Sequence, residues 1–384
     1  MMGWPECITT ICFGWKMELN ELLKKAVDSG ASDIHIKAGM PPIFRKDGDL
    51  CPQTDYQPLS PNEISKIADS LMNQDQKSRF KEKCEMDLAH GIPGLGRFRV
   101  NIFQQRGSTG MVLRTIPFKI LDFEQLKLPA TMQKIALEER GLILVTGTTG
   151  SGKSTTLASM IDYINENKTC HIMTIEDPME FLIRDKKSII NQREVGMDTV
   201  SFANATRAVL RQDPDVIMVG EMRDLETIDT AITAAETGHL VLSTLHTSDA
   251  SESINRIVSI FPPFQQKQVR LQLGSTLRAV ISQRLVPRAD GKGRVPAVEI
   301  LLNNALVREL IEDKDRTKEI RDVIAKSHLG WGMQTFDQSL MHLFKSNLIT
   351  EEEALRQATN RDDLALKLGG IDTTSDGSWE GFEK

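Results

Sequence analysis

The sequence predicts an α/β protein, in which an α+β N-terminal domain precedes a second domain with a mainly parallel sheet and a C-terminal helical region. Three observations carry this reading. Residues 84–116 form short alternating runs that suit antiparallel strands, and from residue 142 onward apolar runs alternate with helical patterns. The first of those runs, Leu142-Ile143-Leu144-Val145, leads into Gly147-Thr148-Thr149-Gly150-Ser151-Gly152-Lys153-Ser154, after which Thr155 to Asn165 reads as a helix. This is a complete G-x-x-x-x-G-K-[ST] loop between a strand and a helix. Its glycines let the backbone curl so that successive N–H groups face phosphate oxygens at the positive end of the helix. Gly147 to Thr155 are therefore expected to cradle ATP or GTP, with Lys153 on the β and γ phosphates and the Ser154 hydroxyl on Mg²⁺.

Composition narrows the class. The chain has 384 residues, enough for two domains with cores of their own, and a net charge of −6, which gives no global basic field for nucleic acid. Its five cysteines are scattered without a C-x-x-C pair, so neither a disulfide framework nor a four-cysteine zinc site is indicated, and a reducing cytoplasm fits. No apolar run approaches the roughly 18 residues that a membrane-spanning helix needs. Residues 1–16 are apolar without a basic start or a cleavage site, and read as an upstream extension before Met17.

In order along the chain, Leu19, Leu22, Leu23, Ala26 and Val27 recur at helical spacing, and Asp28-Ser29-Gly30 closes that helix. Asp33 to Lys37 alternates as a strand, and Asp47-Gly48 predicts a hairpin between Ile43-Phe44-Arg45 and a strand near Leu50. Helices are expected over 61–72 and 75–83, then strands broken at 91–96 and 107–110. The first domain thus spans 17–118, a linker 119–130 and the second domain 131–368. Within the second domain strands are expected at 142–146, 171–176, 216–220, 240–245, 280–286 and 295–302, with helices near 305–313, 315–327, 334–346 and 350–358. Residues 369–384, rich in Gly, Ser, Thr and acids, read as a disordered tail.

Polar clusters follow the parallel strands, where ligands of such sheets collect. Glu176-Asp177-Pro178-Met179-Glu180 puts three carboxylates beside the phosphate loop, one of which could position a water, although such a turn elsewhere would be only a solvated acidic loop. Val216 to Gly220 ends in Glu221, the position of an acid that holds Mg²⁺ or its waters. His239 and His246 flank the next strand, roughly 23 Å apart by strand rise, so they cannot share a metal. His246 could sense the γ-phosphate or make a strand-end hydrogen bond; His239 reads as structural by spacing. Arg97, Arg99, Arg106 and Arg114 crowd the last strands of the first domain, either as a solvated face or as charge supplied to another subunit's phosphates.

These blocks together resemble the secretion ATPases. Gly147 to Ser154, Ile175 to Phe181, Val219 to Thr227 and Ala235 to Thr247 match their Walker A, Asp box, Walker B and His box in order and spacing. Within that superfamily the chain is most similar to the type IV pilus retraction ATPases of twitching motility, from about Met17 to Leu368. The resemblance implies a PAS-like N-terminal domain, a RecA-like P-loop domain and a homo-hexamer that uses ATP and Mg²⁺. It makes Glu180 the candidate general base, Glu221 the Walker B acid, His239 and His246 the His-box pair, and Arg97, Arg99 and Arg114 the candidate trans contacts. Implied partners are an inner-membrane platform protein of the pilus machine and a paralogous retraction ATPase, with a cytoplasmic location peripheral to that membrane. Glu309 and Glu312 stand where those ATPases usually carry a neutral and a basic residue. An assembly or secretion ATPase of the superfamily and a noncatalytic nucleotide-binding regulator are the alternative readings.

Overall fold

The computed structural model describes residues 18–46, 48–116 and 119–369, so the N-terminal extension and all but Gly369 of the tail lie outside the described residues. The chain divides into two compact units, 1–117 and 118–384.

The first unit is a helix-covered antiparallel sheet. It runs α1 (Leu19–Asp28), β1 (Asp33–Ile36), β2 (Ile43–Lys46), β3 (Asp49–Pro52), α2 (Pro61–Leu71), α3 (Gln74–Lys83), β4 (Glu85–Ile92), β5 (Gly96–Gln105) and β6 (Ser108–Ile116). The strand order is β3-β2-β1-β6-β5-β4. Side chains alternate across the sheet, so Ile34, Ile36, Phe98, Val100 and Ile102 join Leu22, Leu23 and Ile64 from the helices in one core. Arg97 and Arg99 are out of phase with that core on β5, and Arg114 pairs opposite Arg99 on β6. Capping boxes at Ser60/Glu63 and Asn73/Gln76 fix where α2 and α3 start. The strand breaks are tighter than the glycine clusters predict: β4 runs on to Ile92, and Gly110 lies inside β6 because only Phe103 and backbone approach it.

The second unit is a RecA-like α/β domain. Its elements are α4 (Thr131–Ala136), β7 (Gly141–Thr146), α5 (Lys153–Asn167), β8 (His171–Glu176), β9 (Ile189–Glu194), α6 (Phe202–Val209), β10 (Val216–Val219), α7 (Leu225–Glu236), β11 (Leu240–Leu245), α8 (Ala250–Ile260), α9 (Pro263–Thr276), β12 (Leu277–Pro287) and β13 (Arg294–Leu302). Helices α10 (Ala305–Glu312), α11 (Ile320–Lys326), α12 (His328–Trp331), α13 (Phe336–Lys345), α14 (Glu351–Gln357) and α15 (Arg361–Leu368) complete it. The sheet order is β13-β12-β7-β11-β10-β8-β9, parallel except for the β12–β13 pair. Strands β7, β10 and β11 are buried on both faces, and their sequences are accordingly apolar but for the threonine that ends β7 and Ser243 and Thr244 of β11. Ile143 and Val145 face α4 and α5, whereas Leu142 and Leu144 face the core built on α6 to α11. A separate cluster packs Val286, Val295 and Ala297 against Phe336, Leu340 and Leu364 of the C-terminal helices.

Several stretches differ from expectation. Phe123 and Leu128, in the segment expected as a linker, are buried in the second unit's core. Strand β9 and helices α4, α12 and α15 have no counterpart among the expected elements.

Glu299 on β13 is a buried carboxyl whose Oε1 accepts the Ala250 N–H at 2.9 Å. Burial pushes its pKa up to about 7, with Asp249 adding to the rise and Arg321 and Arg284 opposing it. The folded chain therefore holds this proton more tightly than the unfolded chain does. Stability should be highest below the ordinary carboxylate range and fall as pH rises through about 7. Glu299→Gln, which copies the protonated form, should raise the melting temperature over wild type at about pH 8 and much less at about pH 5. A difference independent of pH would contradict this assignment.

Candidate active site

The site is built at the carboxyl edge of the sheet, where the phosphate loop leaves β7. Gly147 sits at φ +142°, and a Cβ there would lie 2.4 Å from the Gln283 carbonyl; Gly152, at φ +91°, caps α5 in the left-handed region. Helix α5 has no side-chain cap and no acid in its first turn, whereas α6, α7, α8 and α10 are capped by Ser201, Asp224, Asp249 and Asn304. Its first N–H groups and its positive dipole end are thus kept for a ligand, and an anion satisfies both.

Lys153 is buried and donates from Nζ to the carbonyls of Gly147 at 2.8 Å and Thr148 at 3.0 Å. Burial holds its pKa below the usual lysine value, against the charges of Glu221 and Glu180 that pull it up. Ser154 donates its hydroxyl to Glu180 Oε1 at 2.9 Å. Glu180 lies two residues past Pro178, and Met179 between them buries its side chain. Glu176, last on β8, is buried, and its raised pKa comes from that burial, offset by hydrogen bonds from Thr174 and Gln192. It is an internal brace rather than a solvent-facing acid.

Glu221 follows Gly220 at the end of β10. The Thr244 hydroxyl on β11 donates to the Gly220 carbonyl at 2.7 Å, which fixes the turn from which Glu221 projects. The carboxylate lies 2.7 Å from Arg223 Nε and 3.2 Å from His246 Nε2. Partial burial would raise its pKa, but the hydrogen bond from Arg223 and the nearby charges of His246 and Arg223 hold it lower. Downstream, Asp224 caps α7 through Thr227 N at 2.9 Å, which explains the Asp and Thr of that run.

Lys153, Ser154, Glu180, Glu221 and His246 therefore surround one cavity of about 580 Å³, which Thr149, Gly150, Gly152 and Thr155 also line. Apolar side chains, Leu157, Phe181, Ile183, Phe202 and Leu285, line it as well. His239 is not among its lining residues. It stands at the amino end of β11, where Nδ1 lies 2.9 Å from the Ala234 carbonyl at the close of α7. In the first unit, Arg114 donates from Nε to Asp33 at 2.8 Å, and with Arg99, Asp87 and Asn101 they line a separate cavity. Burial opposes the lowering of the Asp33 pKa, and the Arg114 and Ser32 hydrogen bonds achieve it. Sequence reasoning missed Arg223, since an arginine after an acid carries no signal until the strand end is seen to turn both into one cavity.

A family model described as "Type II/IV secretion system protein" matches residues 15–322. The chain belongs to this family. It is 46% identical over 342 residues to the "Type IV pilus retractation ATPase PilT" of Pseudomonas aeruginosa, covering 89% of this chain and 98% of that protein. It is also 46% identical over 355 residues to the "Type IV pilus ATPase PilU" of the same organism, covering 92% of each. A crystal structure of the pilus retraction motor PilT with bound ADP superposes with a TM-score of 0.82 at 48% identity, over 91% of this chain and 99% of that one.

Lys153→Ala should remove nearly all ATP turnover, because it deletes the one ammonium that faces the phosphate positions from inside the loop. A steady-state assay that returned turnover within a few fold of wild type would contradict the site.

Proposed function

We propose that this chain is a motor ATPase that hydrolyses ATP to drive retraction of a type IV pilus in twitching motility. The observation that carries the proposal is the likeness to PilT over 98% of that protein's length, on a chain whose phosphate loop, two acids and histidine meet in one cavity. PilT and PilU stand at the same 46% identity, so the proposal is for the class of retraction motors. The assembly and secretion alternative is less well supported, because paired cysteines for a zinc insert are absent from the sequence. A noncatalytic regulator would not need both Glu180 and Glu221.

In the proposed reaction Lys153 leaves the Gly147 and Thr148 carbonyls for the γ-phosphate, exchanging neutral acceptors for charged ones. Glu180, freed from the Ser154 hydroxyl, accepts the proton of the attacking water. The Ser154 hydroxyl and the Glu221 carboxylate are hard oxygen donors that both line the cavity, a set that fits Mg²⁺ held partly through waters. Mg²⁺ would supply charge neutralisation at the β and γ phosphates. His246, tied to Glu221, reports the state of that acid to β11. Assembly as a homo-hexamer would bring Arg97, Arg99 or Arg114 of one subunit toward the nucleotide of the next. Among the described residues no helix is long and apolar enough to cross a membrane, so docking to an inner-membrane platform protein would hold the motor at the membrane from the cytoplasmic side.

Deleting the gene and counting surface pili tests this directly. Accumulated, unretracted pili are expected; bald cells would instead indicate an assembly motor.

A further inference from the structure

Behind the phosphate loop, on the side away from the cavity, strand β12 carries a buried glutamine that the reaction above does not use. Gln283 is 3% exposed and lies between Ser282 and Arg284 on that strand. Its Nε2 donates to the Ser151 carbonyl at 2.7 Å, and its Oε1 accepts the Thr156 hydroxyl at 2.8 Å. The orientation of the amide is fixed by chemistry, since a carbonyl can only accept and so must face the NH₂ group. One side chain thus bridges the middle of the loop to the first turn of α5.

We infer that Gln283 is a positioning residue that aims the Gly152 N–H at the nucleotide's phosphates. The inference rests on reading the loop as the ATP site. In a planar trans peptide the C=O and the N–H point in opposite directions. Holding the Ser151 carbonyl back toward β12 therefore turns the Gly152 N–H the other way, into the cavity. The same contact explains why residue 152 is glycine, because a Cβ there would lie 2.7 Å from Gln283 Nε2. The Thr156 hydroxyl holds the amide from the other side, so the side chain is pinned at both ends. Strand β12 is itself locked to β7 alongside, with the Thr146 hydroxyl donating to Ser282 Oγ at 3.0 Å.

The test compares ligands with and without phosphates. Gln283→Met keeps a side chain of similar length and removes both hydrogen bonds. ADP affinity should fall about 10-fold to 100-fold, the loss expected when one charge-assisted hydrogen bond is no longer aimed. Adenosine, competed against a fluorescent nucleotide, should bind as it does to wild type. Equal losses for ADP and adenosine, or no loss for either, would overturn the assignment. If Gln283→Met does not fold, Thr156→Val removes the other end of the bridge at constant shape and should show the same selective loss. A wild-type chain that bound no ADP would sink the site reading and this one with it, whereas normal ADP binding by both wild type and variant sinks the bridge alone.

Discussion

The placement of β11 between β7 and β10 is the constraint on which the site depends. It separates the strand that ends in the phosphate loop from the strand that ends in Glu221 by two sheet spacings, about 10 Å. That gap leaves room for phosphates between Lys153 and the acid. Had β10 paired directly with β7, the carboxylate would lie against the lysine and close the cavity. The pairing is held by register and by side chains: Ser243 stands level with Val219 and Leu144, and its hydroxyl donates to the Val219 carbonyl at 2.7 Å. Next to it, β8 delivers the turn that carries Glu180, so the two acids approach the loop from neighbouring strand ends.

Several polar groups of the cavity are engaged through contacts that a nucleotide could replace. Lys153 rests on loop carbonyls, Ser154 on Glu180, and Glu221 on Arg223 and His246. The Ser151 hydroxyl of the loop is buried without a hydrogen-bond partner, a state that costs on the order of 1–3 kcal/mol. The exchange is favourable because phosphate oxygens offer charged acceptors in place of neutral ones. What stays fixed is the backbone behind the loop and the strands beneath it.

Much of this was legible in the sequence, and what was not has physical reasons. The loop motif and the mostly apolar runs of β7, β10 and β11 stand out because strands buried on both faces carry few polar residues. Strand β9, Ile189 to Glu194, does not, because as an edge strand it exposes Ile189 at 62% and ends in polar residues. The segment expected as a linker forms no helix or strand, and the burial of Phe123 and Leu128 follows only from the fold that brings α5 beside them. Gln283 gave no signal, since its partners Ser151 and Thr156 are set by strand order and not by spacing along the chain, and Arg223 gave none because only the fold turns it into the cavity. Spacing did predict that His239 and His246 lie at opposite ends of β11, as they do.

The central claim is that the turn after β8 carries the group that takes the proton from water. Single-turnover hydrolysis by Glu180→Gln, measured with ATP affinity on the same protein, tests it most directly. The variant keeps the shape of the side chain and its contact with Ser154. ATP should bind with near-native affinity while hydrolysis falls roughly 100-fold to 10,000-fold, the range for losing a positioned general base. Hydrolysis within a few fold of wild type, or a loss of rate fully matched by a loss of ATP binding, would contradict the account.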